Sequence, residues 1–287
     1  MPILTGPEVA NGRILSGIPQ SSACGGLLRD ADAGRIGTFH WRRAVLRATI
    51  PLMQLLPVLA SAGGVCAAGG ILAWGAVAPS SQLFGSTIRH TGDASAMALT
   101  FDDGPNPSVT PALLALLDRY QVKATFFLIG AWVRKAPELA KEMALRGHTV
   151  GNHTDTHPAL TFLPARQIAR ELDGCDHAIE AVTGQKPRWM RPPFGFRGPQ
   201  LAGVVRRRGG AGVVMWSAWA WDWKPQPAEP VIRRLRRARG GDIVLLHDGD
   251  HRVLDGDRRH TVAALEYWLP RWKDAGIRFV SLDGLHK

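Results

Sequence analysis

From about Ala96 onward the chain alternates short apolar runs with segments of helical spacing, and breakers separate the two. AMALTFDD is a short apolar run, readable as a buried strand, and it ends in the breakers GPNP. PALLALLDRY has helical spacing, with Pro111 suited to a first turn. VKATFFLIG predicts a second strand, APELAKEMALRG a helix closed by Gly147, and HTVGNH a third strand. The helix PARQIARELDGCDHAIEAVTG is followed by the strand PRWMRPP, the helix GPQLAGVVRRRG and the strand GVVMWSA. PVIRRLRRARG then predicts a helix, DIVLLHD a strand, TVAALEYWLPRWKDAG a helix broken or kinked at Pro270, and IRFVSL a final strand. About seven strands alternating with helices predict an α/β fold, a parallel sheet under helical cover that can close into a barrel.

The first part of the chain has a different texture. No charged residue falls between Arg47 and Arg89, and the run includes IPLMQLLPVLASAGGVCAAGGILAWGAVA. A bilayer-spanning helix needs about 20 mostly apolar residues, and Val58–Val77 supplies such a window. Arg42, Arg43 and Arg47 precede it and only Arg89 follows closely, so the positive-inside rule leaves the N-terminus cytoplasmic. This predicts a basic segment over residues 1–48 and a transmembrane anchor over 49–80. The domain of residues 90–287 then lies outside the cytoplasm. A cleaved signal (Ala60-Ser61-Ala62 and Ala76-Val77-Ala78 both resemble cleavage sites) and a core hairpin broken by Pro51 and Pro57 are the alternatives.

Composition changes this picture little. The chain has 287 residues with 45% apolar and 21% charged, which fits a packed globular protein. Three Cys exclude a disulfide scaffold, and no fixed-period repeat is visible. The formal charge is +11. No nucleic-acid-binding motif accompanies the excess, so no nucleic-acid partner is expected. A solvated Arg-rich surface explains it, with Arg233, Arg234, Arg236, Arg237 and Arg239 on the outer face of one predicted helix.

Chemistry-bearing residues recur at five predicted strand ends, the place where parallel barrels build active sites. TFDDG sets Asp102 beside Asp103; the two carboxylates repel unless a cation lies between them or they serve separate roles. HTDTH spaces His153 and His157 by four residues, so on a helical turn both imidazoles reach one ion. Either Asp with the two His makes three protein ligands and leaves a position open for water, the arrangement of a hydrolytic metal site. The same set serves iron oxygenases, a different reaction class. RPPFG places Arg191 where it can pair with a carboxylate. WSAWAWDWKP surrounds Asp222 with Trp residues, and a carboxylate in that setting must find a partner or a proton. Exposed Trp also suits stacking on sugar rings, and Trp223 is the candidate. IVLLHDG ends a strongly apolar strand on His247.

These five motifs, in this order from about Ala98 to Leu285, resemble the NodB-like polysaccharide deacetylases, carbohydrate esterase family 4. The resemblance implies a distorted (β/α) barrel and metal-dependent removal of N-acetyl or O-acetyl groups from a cell-envelope or extracellular polysaccharide. It implies Asp102 as general base and Asp103, His153 and His157 as ligands of one divalent ion. Zinc leads, with cobalt, nickel or manganese as alternatives. It further implies Arg191 as the residue orienting Asp102, Asp222 as the partner tuning the acid, His247 as general acid, and the Phe194 main-chain N–H as oxyanion donor. Two positions depart from the family pattern: Phe194 stands where Tyr is frequent, and Trp219 where many members carry an acid. A deformylase or deacetylase acting on a lipid-linked sugar is the alternative within the same chemistry.

Overall fold

A computed structural model describes residues 52–285 apart from Ala211. The basic segment 1–48 lies outside the described residues, as do the side chains of the first part of the predicted anchor, residues 49–63. The uncharged run forms one helix, α1 (Leu52–Val77), which passes through Pro57, so the broken hairpin does not form. Among the described residues no helix is long and apolar enough to cross a membrane; for α1 this covers the part from Gly64 on. The C-terminal end of α1 docks on the domain. The Arg197 amide donates to Ala76 O at 3.0 Å, and the buried Arg197 guanidinium donates to the carbonyls of Ala78 and Ser81.

Nine strands follow: β1 (Thr87–Ile88), β2 (Ala96–Gly104), β3 (Thr125–Leu128), β4 (Thr149–Asn152), β5 (Trp189–Met190), β6 (Gly212–Val214), β7 (Ala218–Trp219), β8 (Ile243–His247) and β9 (Arg278–Phe279). Their order is β1-β6-β5-β4-β3-β2-β8-β7, with β9 on the first residues of β2, and every pairing is parallel. The expected barrel is therefore an open one. Its ladder ends at β1 and β7, and a single bridge, His90 to Asp242, links the chain after β1 to the start of β8. Two strands exceed the expected count because β1 and β7 are two residues long, too short to show a period in the sequence.

Helices cover the outside: α2 (Thr110–Arg119), α3 (Gly130–Lys135), α4 (Pro137–Leu145), α5 (Ala165–Thr183), α6 (Pro199–Arg207), α7 (Ala228–Leu235) and α8 (Arg259–Asp274). The last is a single helix through Pro270 rather than one broken there. Alternation along β2 sorts its side chains between two surfaces. Met97, Leu99 and Phe101 join the main core beneath the helices, with Leu113, Leu117, Leu265 and Trp272. Ala98, Thr100 and Asp102 fill the barrel interior in layers. Ala98 packs with Phe127, Trp189, Val214 and Ile243 at the bottom; Thr100 sits midway, hydrogen-bonded to Arg191; Asp102 lies at the top. The apolar layers leave one polar surface at the C-terminal ends of the strands.

Candidate active site

Strand alternation should send the adjacent Asp102 and Asp103 to opposite faces. A bulge prevents this. Asp102 pairs with Phe127 and Gly104 with Leu128, so Asp103 is an extra residue, and its φ is 70°. Both carboxylates then converge on one imidazole: His153 Nε2 lies 3.7 Å from Asp102 Oδ2 and 3.4 Å from Asp103 Oδ1. Close approach holds the bulge in place. A Cβ on Gly249 would meet Asp103 O at 2.0 Å, and one on Gly104 would meet the Asp248 carboxylate at 2.6 Å.

His153 and His157 do come together, but not on a helical turn. The chain after β4 is a loop with Thr154 at φ 69° and His157 at φ 61°. Asn152 Oδ1 accepts from the Thr154 amide at 2.8 Å and Thr154 Oγ1 from the His157 amide at 3.0 Å, fixing the loop. Asn152 is itself held by Leu172 O and Asp176 on α5. His153 Nδ1 donates to Arg191 O at 2.7 Å, which leaves Nε2 with its lone pair toward Asp103. His157 Nε2 is 3.2 Å from the same Asp103 Oδ1.

Three donor atoms of Asp103, His153 and His157, all buried, lie within 4.8 Å of one another. Ligands bound tetrahedrally at about 2.1 Å stand roughly 3.4 Å apart, close to the 3.2 and 3.4 Å observed. Asp103 Oδ1 is buried without a hydrogen-bond partner, a state that normally signals a missing ligand. Burial opposes ionisation of Asp103, but the surrounding imidazoles of His153, His157 and His251 outweigh it and hold its pKa well below the usual range. The set is anionic and fits a divalent cation.

Arg191 is fully buried inside the barrel. Its Nη1 donates to Asp102 Oδ1 and Thr100 Oγ1, both at 2.8 Å, its Nε and Nη2 reach Val214 O and Met215 O, and its guanidinium lies 4.3 Å from the Phe127 ring centroid. Arg191 is thus held on several sides and presents one charged hydrogen bond to Asp102 Oδ1. Beside Asp102 on the rim stands His247, its register partner on the neighbouring strand β8. His247 Nδ1 meets Asp222 Oδ1 at 2.9 Å, and Asp222 Oδ2 accepts from the His247 amide and from Thr261 Oγ1, both at 2.8 Å. His260 Nε2 is 2.8 Å from Asp222 O. Burial would lower the His247 pKa, but the Asp222 charge prevails and raises it to about 9. Asp222 is lowered for the complementary reason, the His247 charge and these hydrogen bonds overcoming its desolvation.

Phe194 occupies a tight turn at φ 58°, half-exposed, its ring edge-on to His157 at 4.7 Å. Trp223 sits beside the acid, its ring centroid 6.5 Å from that of His247. The site also contains residues the sequence reading missed. His251 stacks on His157 at 4.4 Å with Nδ1 3.8 Å from Asp103 Oδ2; the HDGDH run repeats the spacing of HTDTH and was the available signal. Thr261, His260 and Asn152 carried no such signal, since their roles depend on contacts distant in sequence.

A family model for polysaccharide deacetylase matches residues 89–211. A chitooligosaccharide deacetylase of Azorhizobium caulinodans is 35% identical over 204 residues, 68% of this chain and 97% of its own. The chain belongs to the polysaccharide deacetylase family. A peptidoglycan-N-acetylglucosamine deacetylase of Bacillus cereus is 37% identical over 196 residues, covering 66% of this chain and 87% of that protein. Among solved structures, the Bc1960 peptidoglycan N-acetylglucosamine deacetylase superposes with a TM-score of 0.63 at 32% identity, over 67% of this chain and 87% of that one. A pseudoenzyme of carbohydrate esterase family 4 from Bacillus anthracis also gives 0.63, at 29% identity over 70% and 68% of the two chains. The fold is thus shared by active and inactive relatives, and the residues at the rim must decide between them. In this chain Asp102, Asp103, His153, His157, Arg191, Asp222 and His247 are all present and gather at the rim, while Phe194 and Trp219 depart from the family pattern.

Proposed function

We propose that the protein is a metal-dependent hydrolase that removes N-acetyl groups from an acetylated glycan of the cell envelope. The observation that carries the reading is the convergence of Asp103 Oδ1, buried and unpartnered, with two imidazoles opposite an Asp222–His247 pair. A divalent cation held by Asp103, His153 and His157 supplies Lewis acidity toward the acetyl carbonyl and makes water more acidic. Asp102, oriented by Arg191, takes the proton of the attacking water. The Phe194 amide is offered to the tetrahedral oxyanion. His247 is charged at neutral pH by virtue of Asp222, and its Nδ1 is committed there, so Nε2 gives its proton to the departing nitrogen. The products are acetate and a neutral amine.

The names of the Azorhizobium and Bacillus relatives support chitooligosaccharide or peptidoglycan as the class of substrate. Peptidoglycan lies beyond the cytoplasm. The basic flank Arg42, Arg43 and Arg47 ahead of the uncharged run supports the same location for this domain, whether attached through residues 49–80 or secreted. The test is acetate release from a panel of acetylated glycans by the full chain, with and without chelator, together with fractionation of the producing cells. Chelator-sensitive acetate release supports the reading, and none from any glycan contradicts it.

A further inference from the structure

We propose that the groove along β7 is a subsite for an anionic glycan, one whose sugars carry carboxylate or phosphate groups; this rests on the deacetylase reading and names its substrate class. The groove measures about 590 Å³ and is bordered by Trp219 and Trp221 on one side and by the arginines of α7 and the turn after it on the other. Val231 and Leu235 face the core, while Arg233, Arg234, Arg236, Arg237 and Arg239 are all exposed.

Five like charges within seven positions repel one another and need a counter-charge. None is supplied. Among the described residues no carboxylate lies within ion-pair distance of these guanidinium groups, and Arg234 alone makes side-chain hydrogen bonds, to Ala220 O and Gln226 Oε1. The one acid in the groove, Asp242, is engaged by Ser217 Oγ at 2.7 Å and by the Arg239 amide at 2.9 Å. A helix C-terminus tolerates Arg233 and Arg234, but Arg236, Arg237 and Arg239 lie beyond the last turn.

A solvated basic face would need no aromatic rings, and here they are exposed. Trp219 is 42% and Trp221 47% accessible. Trp221 stands at φ 59°, an outlier for so bulky a residue. The rings form a continuous series from the groove to the acid: Trp219 to Trp221 at 4.5 Å, Trp221 to Trp223 at 5.0 Å, Trp223 to His247 at 6.5 Å. Aromatic faces stack on sugar rings and guanidinium groups fork onto carboxylate and phosphate oxygens. Together they suit a charged sugar chain laid along β7 whose acetylated residue reaches the rim.

The test uses the full chain and the triple variant Arg236→Gln, Arg237→Gln, Arg239→Gln, which alters only exposed side chains outside the catalytic rim. Tryptophan fluorescence and calorimetry measure binding of four probes: a hyaluronan hexasaccharide (carboxylate), chitohexaose phosphorylated at its primary hydroxyls (phosphate), plain chitohexaose and a thymidine hexanucleotide. The expected result is that one or both charged glycans bind more tightly than plain chitohexaose. The advantage falls with added salt, and the variant loses about tenfold, the size of a few exposed charge contacts. The stronger of the two names the anion. Deacetylation of plain chitohexaose stays equal in both proteins, so a failure of the subsite is distinct from a failure of the deacetylase reading. Equal binding of charged and neutral glycans, charged-glycan binding unchanged in the variant, or a hexanucleotide bound more tightly than either charged glycan overturns the proposal.

Discussion

The two halves of the catalytic rim are built on opposite principles. The acid half is complete in itself. Asp222 accepts three hydrogen bonds at 2.8 to 2.9 Å, and its backbone carbonyl meets His260 as well. The metal half is incomplete: Asp103 Oδ1 and His157 Nδ1 are both buried without partners. Its proposed ligands Asp103 and His157 and their neighbour Phe194 all occupy left-handed backbone conformations, each costing on the order of 1–3 kcal/mol. In one half the hydrogen bonds satisfy the charged groups themselves; in the other they fix the strained backbone of the loop and leave two buried polar atoms unpaired.

That contrast separates the consequences of mutation. The largest effect belongs to the metal half: His153→Ala or His157→Ala lowers acetate release to background and empties the site of metal, read by elemental analysis of the purified protein. His247→Ala costs about 10²–10⁴-fold in kcat with metal content unchanged, and the pairing of those two readouts distinguishes the halves. Asp222→Asn removes the charge that holds His247 up. The alkaline limb of kcat/KM, expected near pH 9 in the native protein from the raised His247 pKa, then moves toward the ordinary imidazole value of about 6.5. Thr261→Val removes one donor to Asp222 and lowers kcat/KM about tenfold with a smaller shift of the same limb.

The smallest effect is on stability. Asp248, buried beside Thr110, is pushed up to about 7 by burial, with the Asp103 charge adding to the rise. A raised pKa means that the neutral form is the one favoured by the fold. The contribution is present below the ordinary Asp value of 3.8 and is lost as pH climbs through about 7. Asp248→Asn therefore raises Tm relative to the native chain as pH climbs from 3.8 to about 7, by more at pH 8 than at pH 5. His247 follows the same sign, its contribution present below pH 6.5 and lost as pH climbs to about 9.

The elements whose residues carry a strong period were legible in the sequence. α5 and β8 appear where apolar spacing puts them, and the five motifs sit at strand ends because apolar strands must stop where polar chemistry starts. What escaped was geometry that no period encodes. The bulge that turns Asp103 beside Asp102 depends on Gly249 and Gly104, about 145 positions apart in the chain, fitting against their neighbours. His153 and His157 meet as their spacing suggests, but through a loop held by Asn152 and Thr154 rather than through a helical turn. α1 passes through Pro57, which the sequence alone reads as a breaker.

On the proposed function, three convergent side chains grip one divalent ion on which hydrolysis depends. The direct test is elemental analysis of the native chain and of the His153→Ala, His157→Ala double variant, run beside acetate release before and after chelation and metal return. One ion per native chain, none in the variant, and activity that disappears with the metal and returns with it are expected. Undiminished acetate release from the metal-stripped chain or from the double variant contradicts it.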